Sequence, residues 1–317
     1  MTKYMSTSTD SIKIIDLFAG IGGIRLGFEL ASNKKIECVF SSEWNKYSRQ
    51  TYQANFGLEE IYGDITEVDE NEIPAHDILL AGFPCQPFSQ AGLKRGFDDI
   101  RGTLFFDIAR ILEAKKPKAF LLENVKQLRG HDKGRTLEVI MQTLRDIGYT
   151  NVEYNLLKAR DFGLPQNRER LYIVGFLDEA VDFSFPKPLA LETRVGDILD
   201  DEIAEKYTIS DRLWAGHQRR KRENRLKGKG FGYSIFTHDS PYTSTISARY
   251  YKDGSEILIE QDGKNPRKIT PREASRLQGF PEDFKIPVSD TQAYQQFGNS
   301  VPVSVIEALA KQMLIHL

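Results

Sequence analysis

Only two of the 317 residues are cysteine, Cys38 and Cys85. They cannot build a disulfide framework or a four-cysteine zinc site, so the chain reads as reduced, cytosolic and metal-free. No apolar run approaches the ~18 residues that a membrane helix needs. The polar start MTKYMSTSTDSIK lacks the apolar centre of a signal peptide. There is no excess of positive charge either: 43 Lys and Arg against 45 Asp and Glu leave a net charge of −2. A polyanionic partner would therefore have to be held by a local basic patch. Internal repeats and low-complexity tracts are also missing, which excludes solenoids and wholesale disorder. What remains, 40% hydrophobic and 28% charged residues, is the composition of a well-cored globular chain.

From residue 12 the sequence alternates apolar runs with helical patterns. IKIIDLF (12–18), ECVFSSE (37–43), IYGDI (61–65), DILLAGFP (77–84), KAFLLENV (118–125) and RLYIVGF (170–176) read as strands. GGIRLGFELAS, NKYSRQTYQANF, LFFDIARILEAK and RTLEVIMQTLRDIG read as helices between them. This alternation predicts an α/β fold with a mostly parallel, doubly wound, Rossmann-like sheet. The pattern breaks near Pro186-Lys187-Pro188, and few clear helices follow until about residue 268. Residues 211–230 carry eight Lys or Arg against two Asp or Glu. A smaller, irregular, β-rich domain is expected over 190–270, followed by a hinge segment over 271–298. The helix near 303–317 shows a single apolar stripe: Val305, Ile306, Leu309, Met313 and Leu314. The 190–268 stretch reads as too polar and glycine-broken to offer that stripe a partner. Residues 299–317 are therefore expected to rejoin 1–189.

Asp16-Leu-Phe-Ala-Gly20-Ile-Gly22-Gly23 sits between a strand and a helix, where glycines let backbone N–H groups approach a ligand. A dinucleotide fingerprint would want glycine at 20, 22 and 25, but position 25 is arginine, which weighs against a nicotinamide dehydrogenase. Glu43, about twenty residues on, can accept from a ribose. Trp44 can stack an adenine, and Asp64 can accept from its amine. Cys38 reads as a small core residue. Cys85 differs, because Gly82-Phe-Pro-Cys85-Gln-Pro-Phe-Ser89 is a stiff loop at a strand's carboxyl end, where a thiolate would be a strong nucleophile. Glu123 closes the next strand, and a carboxyl in a partly apolar pocket can serve as a general acid. Arg168 and Arg170 alternate along one strand face and can brace a carbonyl, a carboxylate or a phosphate.

These residues resemble the DNA cytosine-5 methyltransferases. The motifs run in order: DLFAGIGG (16–23), SEW (42–44), GDI (63–65), GFPCQPFS (82–89), ENV (123–125), QNRER (166–170), PREASRLQGFP (271–281) and QFGNSV (296–301). The match spans nearly the whole chain and looks like the compact bacterial modification enzymes of restriction systems. The resemblance implies S-adenosylmethionine as cofactor, leaving as S-adenosylhomocysteine. It would be bound by Phe18, Ala19, Gly20, Gly22, Gly23, Glu43, Trp44, Asp64, Ile65, Pro84 and Leu104, and closed over by Asn299, Ser300 and Val301. It further implies that Cys85 attacks C6 of a flipped-out cytosine in double-stranded DNA while Glu123 protonates N3. Arg170 would hold the base carbonyl, and Arg168 would brace the loop. The loop Ser89–Gly102, with Lys94, Arg95 and Arg101, would be a lid on DNA, and Gln86 and Ser89 would contact it. Arg219 and Arg220 would meet phosphates, and Thr245 and Arg249 would read bases. A tRNA cytosine-5 methyltransferase is the nearest alternative, but its Cys-Phe-Thr signature is missing here. A catalytically dead DNA-binding scaffold would not need Cys85, Glu123 and both arginines. The resemblance implies a protein acting as a monomer, with a possible cognate restriction endonuclease acting independently.

Overall fold

The computed structural model describes residues 11–57, 60–84 and 104–317. A six-stranded sheet is built from β1 (Ile12–Leu17), β2 (Ile36–Ser42), β3 (Ile78–Gly82), β4 (Ala119–Val125), β5 (Asn151–Lys158) and β6 (Glu169–Phe176). Its order is β2-β1-β3-β4-β6-β5. The strands β1 to β4 pair in parallel, while β6 is antiparallel to both β4 and β5. β6 alone is reversed, so the sheet is mostly parallel, as the alternation predicts.

The central strands are largely apolar because both faces are covered, with polar residues such as Asp16, Glu123 and Asn124 gathered toward their carboxyl ends. Alternate residues divide cleanly between two cores. Ile15, Leu17, Leu79, Phe120 and Leu122 face one, with α3 (Leu104–Lys115) and α4 (Arg135–Asp146) over them. Ile14, Leu80, Leu121, Tyr172 and Val174 face the other, beneath α1 (Gly23–Ala31) and α8 (Val303–Leu314). The α8 stripe Val305, Ile306, Leu309 and Met313 is buried there. Between α1 and β3 lies α2 (Lys46–Phe56), begun by Asn45, whose side chain accepts from the N–H groups of Tyr47 and Ser48.

Three expectations need correction. IYGDI forms no strand: only a bridge joins Ser42 to Tyr62, and Asp64 caps a short 3-10 helix, Ile65–Glu67. An Asx-type cap ends the extended run before a ladder can form. β5 was not expected, because an edge strand with exposed Glu153 and Tyr154 shows little apolar signal. The 190–268 stretch does supply a core: Val195, Ile198, Ile246, Tyr250, Ile257 and Ile259 are buried together. They pack with α6 (Pro271–Leu277) and α7 (Asp290–Asn299), through Ala274, Leu277, Ala293 and Phe297. Turns gather these singly spaced residues, so no period announces them. A small sheet of β7 (Ile235–Phe236), β8 (Leu258–Ile259) and β9 (Arg267–Lys268) lies here. So does the exposed helix α5 (Asp211–Leu226), in which His217 alone is buried.

Candidate active site

The chain leaves β1 toward β2 on one side and β3 on the other, so a switch point opens at the carboxyl end of β1. The residues following β1 line it. Phe18 takes φ 54°, an uncommon left-handed conformation for a side-chain-bearing residue, and Gly20 and Gly22 follow at 57° and 82°. A Cβ on Gly20 would meet nothing within 4 Å, so the turn faces open space. A Cβ on Gly23 would stand 2.9 Å from Ser300 Oγ and Val301 Cγ2, which seats the returning segment on the turn.

Glu43 holds this turn in shape. Its carboxylate accepts from Gly20 N–H at 2.8 Å and from Asn45 N–H at 2.7 Å. Burial raises its pKa, and those two N–H bonds oppose the rise. This clamp is a role that sequence reasoning missed, because its partners are backbone groups. Trp44 projects into solvent at 78% exposure, a free aromatic face beside the turn. Asp64 is exposed and Ile65 buried at the same edge. Half-buried Leu104 begins α3, and exposed Pro84 lies two residues past β3. Asn299 is exposed, Ser300 half-buried and Val301 buried.

A second feature lay unseen below the turn. Arg25, which spoils the dinucleotide fingerprint, is buried over the Phe56 ring at 4.4 Å. It donates to the Tyr52 hydroxyl at 3.2 Å, and that hydroxyl faces Asp16 at 3.5 Å. Burial pushes Asp16 up to about 8, against the pull of Arg25.

The catalytic candidates meet at the same edge because β6 runs backward, bringing its first residues beside the end of β4, whose other neighbour is the end of β3. Glu123 pairs in register with Tyr172, and Val125 with Arg170. Arg170 Nε lies 3.2 Å from Glu123 Oε1. Burial raises the Glu123 pKa, while Arg170 and then Arg168 pull it down. Arg168 is nearly fully buried and donates to the carbonyls of Ile246, Gly298 and Ser300. Asn124 donates to the Phe83 carbonyl at 3.0 Å, anchoring the chain just before Cys85. Cys85, Gln86, Ser89, Lys94, Arg95 and Arg101 lie outside the described residues.

The recognition candidates divide. Arg219 and Arg249 are exposed. Arg220 instead pairs with Asp253 at 2.9 Å and donates to the Gly232 carbonyl at 3.2 Å, so it pins α5 to its own domain. Thr245 donates its hydroxyl to the Asn167 carbonyl at 2.6 Å, directly beside Arg168.

Residues 12–314 match the family described as C-5 cytosine-specific DNA methylase. The type II methyltransferase M.NlaX of Neisseria lactamica is 71% identical over 301 residues, covering 95% of this chain and 96% of that protein. The type II methyltransferase M1.ScrFI of Lactococcus lactis subsp. cremoris is 64% identical, over 98% of this chain and 80% of that one. In fold, the chain resembles the S. pombe Dnmt2 methyltransferase at a TM-score of 0.81 and 22% identity, covering 96% of this chain and 99% of that one.

Proposed function

Because the chain belongs to the C-5 cytosine-specific DNA methylases, we propose that it is the modification enzyme of a type II restriction–modification system. In this proposal it methylates C5 of a cytosine flipped out of duplex DNA. The chain is a DNA cytosine-5 methyltransferase, and in this proposal S-adenosylmethionine is its methyl donor. The observation that carries the finer reading is the Glu123–Arg170 pair at 3.2 Å, set at the same sheet edge as the open glycine turn.

C5 of cytosine is too weak a nucleophile to take a methyl group directly. In the proposed cycle the Cys85 thiolate adds to C6, forming the S–C6 bond. The displaced π electrons move toward N3, where Glu123 delivers a proton, and C5 becomes enamine-like. Bound S-adenosylmethionine supplies the electrophilic methyl group that C5 accepts. As C5 takes the methyl group, the N3 proton returns to Glu123. A solvent base then takes the C5 proton, and that electron pair reforms the C5–C6 double bond as the S–C6 bond breaks, restoring the ring and the thiolate. Arg170 holds the base carbonyl while keeping Glu123 oriented, and Arg168, just before β6, ties that strand's start to the carbonyls of Ile246, Gly298 and Ser300.

The residues around the turn suit the cofactor. Trp44 offers its face to the adenine, and Glu43 and Asp64 offer acceptors to the ribose and the adenine amine. The N-terminus of α1 favours the cofactor's carboxylate. Phe18, Ala19, Gly22, Gly23, Ile65, Pro84 and Leu104 would wall this space, with Asn299, Ser300 and Val301 closing it. Residues 1–189 with 299–317 form the catalytic unit in this scheme. Residues 190–270 read the DNA, through Thr245 and Arg249 at bases and the exposed cations of α5 at phosphates. Gln86, Ser89, Lys94, Arg95 and Arg101 would close over the extruded base. The enzyme would act as a monomer, beside an independent endonuclease.

Duplex DNA carrying 5-fluorocytosine at the methylated position tests this chemistry, since fluorine cannot leave as a proton does. The wild type should form a covalent adduct with it, and Cys85→Ser should not. A wild type that methylates the parent duplex yet forms no adduct would refute the covalent route.

A further inference from the structure

Between the recognition segment and the cofactor turn lies a run of buried polar side chains that the catalytic roles leave unexplained. Gln166 and Gln278 are completely buried, and Arg168 is 1% exposed. Such groups are costly to bury unless each finds partners. Here they grip one residue from both sides. The N–H of Ile246 donates to Gln166 Oε1 at 3.1 Å, and the Ile246 carbonyl accepts from Arg168 Nη1 at 3.1 Å.

Two paths then run from Ile246 to one atom. Gln166 Nε2 donates to Gln278 Oε1 at 3.0 Å, and Gln278 Nε2 donates to the Ser300 carbonyl at 3.3 Å. Arg168 Nη2 donates to that same carbonyl at 2.5 Å. Ser300 in turn touches the glycine turn, since a Cβ on Gly23 would lie 2.9 Å from its hydroxyl. A separate contact joins the same two segments. The backbone of Gly298 presses on the Ser247–Ala248 peptide so closely that a Cβ would stand 2.3 Å from it.

An apolar side chain of similar volume would fill this space without desolvating an amide. What an amide adds is registry, because its donor and acceptor fix a neighbouring peptide in one position. We propose that Gln166 and Gln278 are positioning residues that couple the recognition segment to the cofactor turn. DNA engaged at Thr245, next to the gripped Ile246, then tightens cofactor binding, and bound cofactor tightens DNA binding by the same factor. This rests on reading the chain as a sequence-specific DNA cytosine methyltransferase.

The test uses the full chain, with S-adenosylhomocysteine as the cofactor probe. Calorimetry measures its affinity alone, with a duplex the wild type is shown to methylate, and with that duplex altered beside the target cytosine. The methylated duplex should tighten binding about 10-fold or more in the wild type, within the usual range of coupling between two sites. The altered duplex should not. In Gln166→Met and Gln278→Met the DNA-free affinity should stay within about 3-fold, while the coupling falls below about 3-fold. Gln278→Glu keeps an acceptor toward Gln166 but loses the donor to Ser300. It should uncouple likewise, and it carries the test if the Met variants do not fold. Variants that lose affinity equally with and without DNA would show a merely structural role and overturn the proposal. A wild type that methylates the duplex but shows no coupling would also overturn it. A wild type that methylates no duplex would instead refute the underlying function.

Discussion

Arg170 reaches Glu123 across the antiparallel β4–β6 pair, its Nε 3.2 Å from the carboxylate. Two opposed influences therefore act on one proton. Burial raises the Glu123 pKa, and Arg170 is the larger of the two charges lowering it. If neutral Glu123 is the working acid, activity is lost as pH rises through this pKa. Removing Arg170 lifts the opposition and raises the pKa further. In Arg170→Gln, the alkaline fall of the single-turnover rate should thus move to higher pH. Glu123→Gln should abolish that limb and slow methylation by ~10²–10⁴-fold. A shift of the limb to lower pH in Arg170→Gln would contradict the assignment.

Trp44 and Glu43 are neighbours with different duties, and substitution separates them. Trp44→Ala removes an exposed ring that packs little, so its thermal midpoint should stay near wild type. Its cofactor affinity should fall by ~1–3 kcal/mol, the value of a base–aromatic stack. Glu43→Ala releases two backbone N–H groups from a buried carboxylate, so it should weaken binding and also lower the midpoint. Calorimetry and melting on both variants check the split; equal midpoints would deny Glu43 its clamp.

How far the sequence showed this site depended on where the partners were. Trp44, Glu123 and Arg170 announce themselves as chemistry-bearing side chains at strand ends, and their own positions are enough. The grip of Glu43 on Gly20 is invisible there, because any residue can supply an N–H. Gln166 and Gln278 lie 112 residues apart and meet only in three dimensions. The central strands were legible because burial on both faces demands unbroken apolar runs. Edge strand β5 and the core around Ile246 and Tyr250 were not, since neither repeats with a fixed period.

The basic helix should separate by residue as well. Arg220 is committed to Asp253 and the Gly232 carbonyl, whereas Arg219 and Arg222 are exposed. Arg219→Ala and Arg222→Ala should each reduce the slope of log K against log salt by about 1, with unchanged stability. Arg220→Ala should lower the melting temperature and leave that slope closer to wild type. DNA-binding titrations over a salt series check this, and unchanged slopes in all three variants would take α5 off the DNA.

Asp16 makes stability depend on pH. Its pKa rises from 3.8 to about 8, chiefly through burial. Between those values the native chain keeps a proton that the unfolded chain has released. Stability is therefore full below the lower value and falls as pH rises toward the upper one, by about 1.4 kcal/mol per pH unit. Asp16→Asn cannot lose that proton, so its urea midpoint should vary less across this window. A variant with the wild-type slope would place the titrating group elsewhere.

A close approach between α1 and α8 at Gly27 supplies a test of how the C-terminal helix is held. A Cβ on Gly27 would stand 2.5 Å from Ile306 Cγ2, 2.6 Å from Ile306 Cβ and 3.1 Å from the Glu307 nitrogen. The first contact belongs to a side chain, but the last belongs to backbone, so rotating Ile306 cannot relieve both. Two effects compete in Gly27→Ala. Alanine favours a helix interior over glycine by ~1 kcal/mol, while overpacking a tight core costs typically ~1–3 kcal/mol. With backbone in the clash, overpacking should win, and the thermal midpoint should drop. Because Ser300 and Val301 directly precede α8 and rest on Gly23, a displaced helix should drag them from the turn and weaken S-adenosylhomocysteine binding too. Ile306→Ala in the same chain removes the Cγ2 contact at 2.5 Å, although the Cβ contact at 2.6 Å stays, so the double variant should lose somewhat less than the two single losses added. Additive losses would mean that α8 and α1 are not in contact in solution.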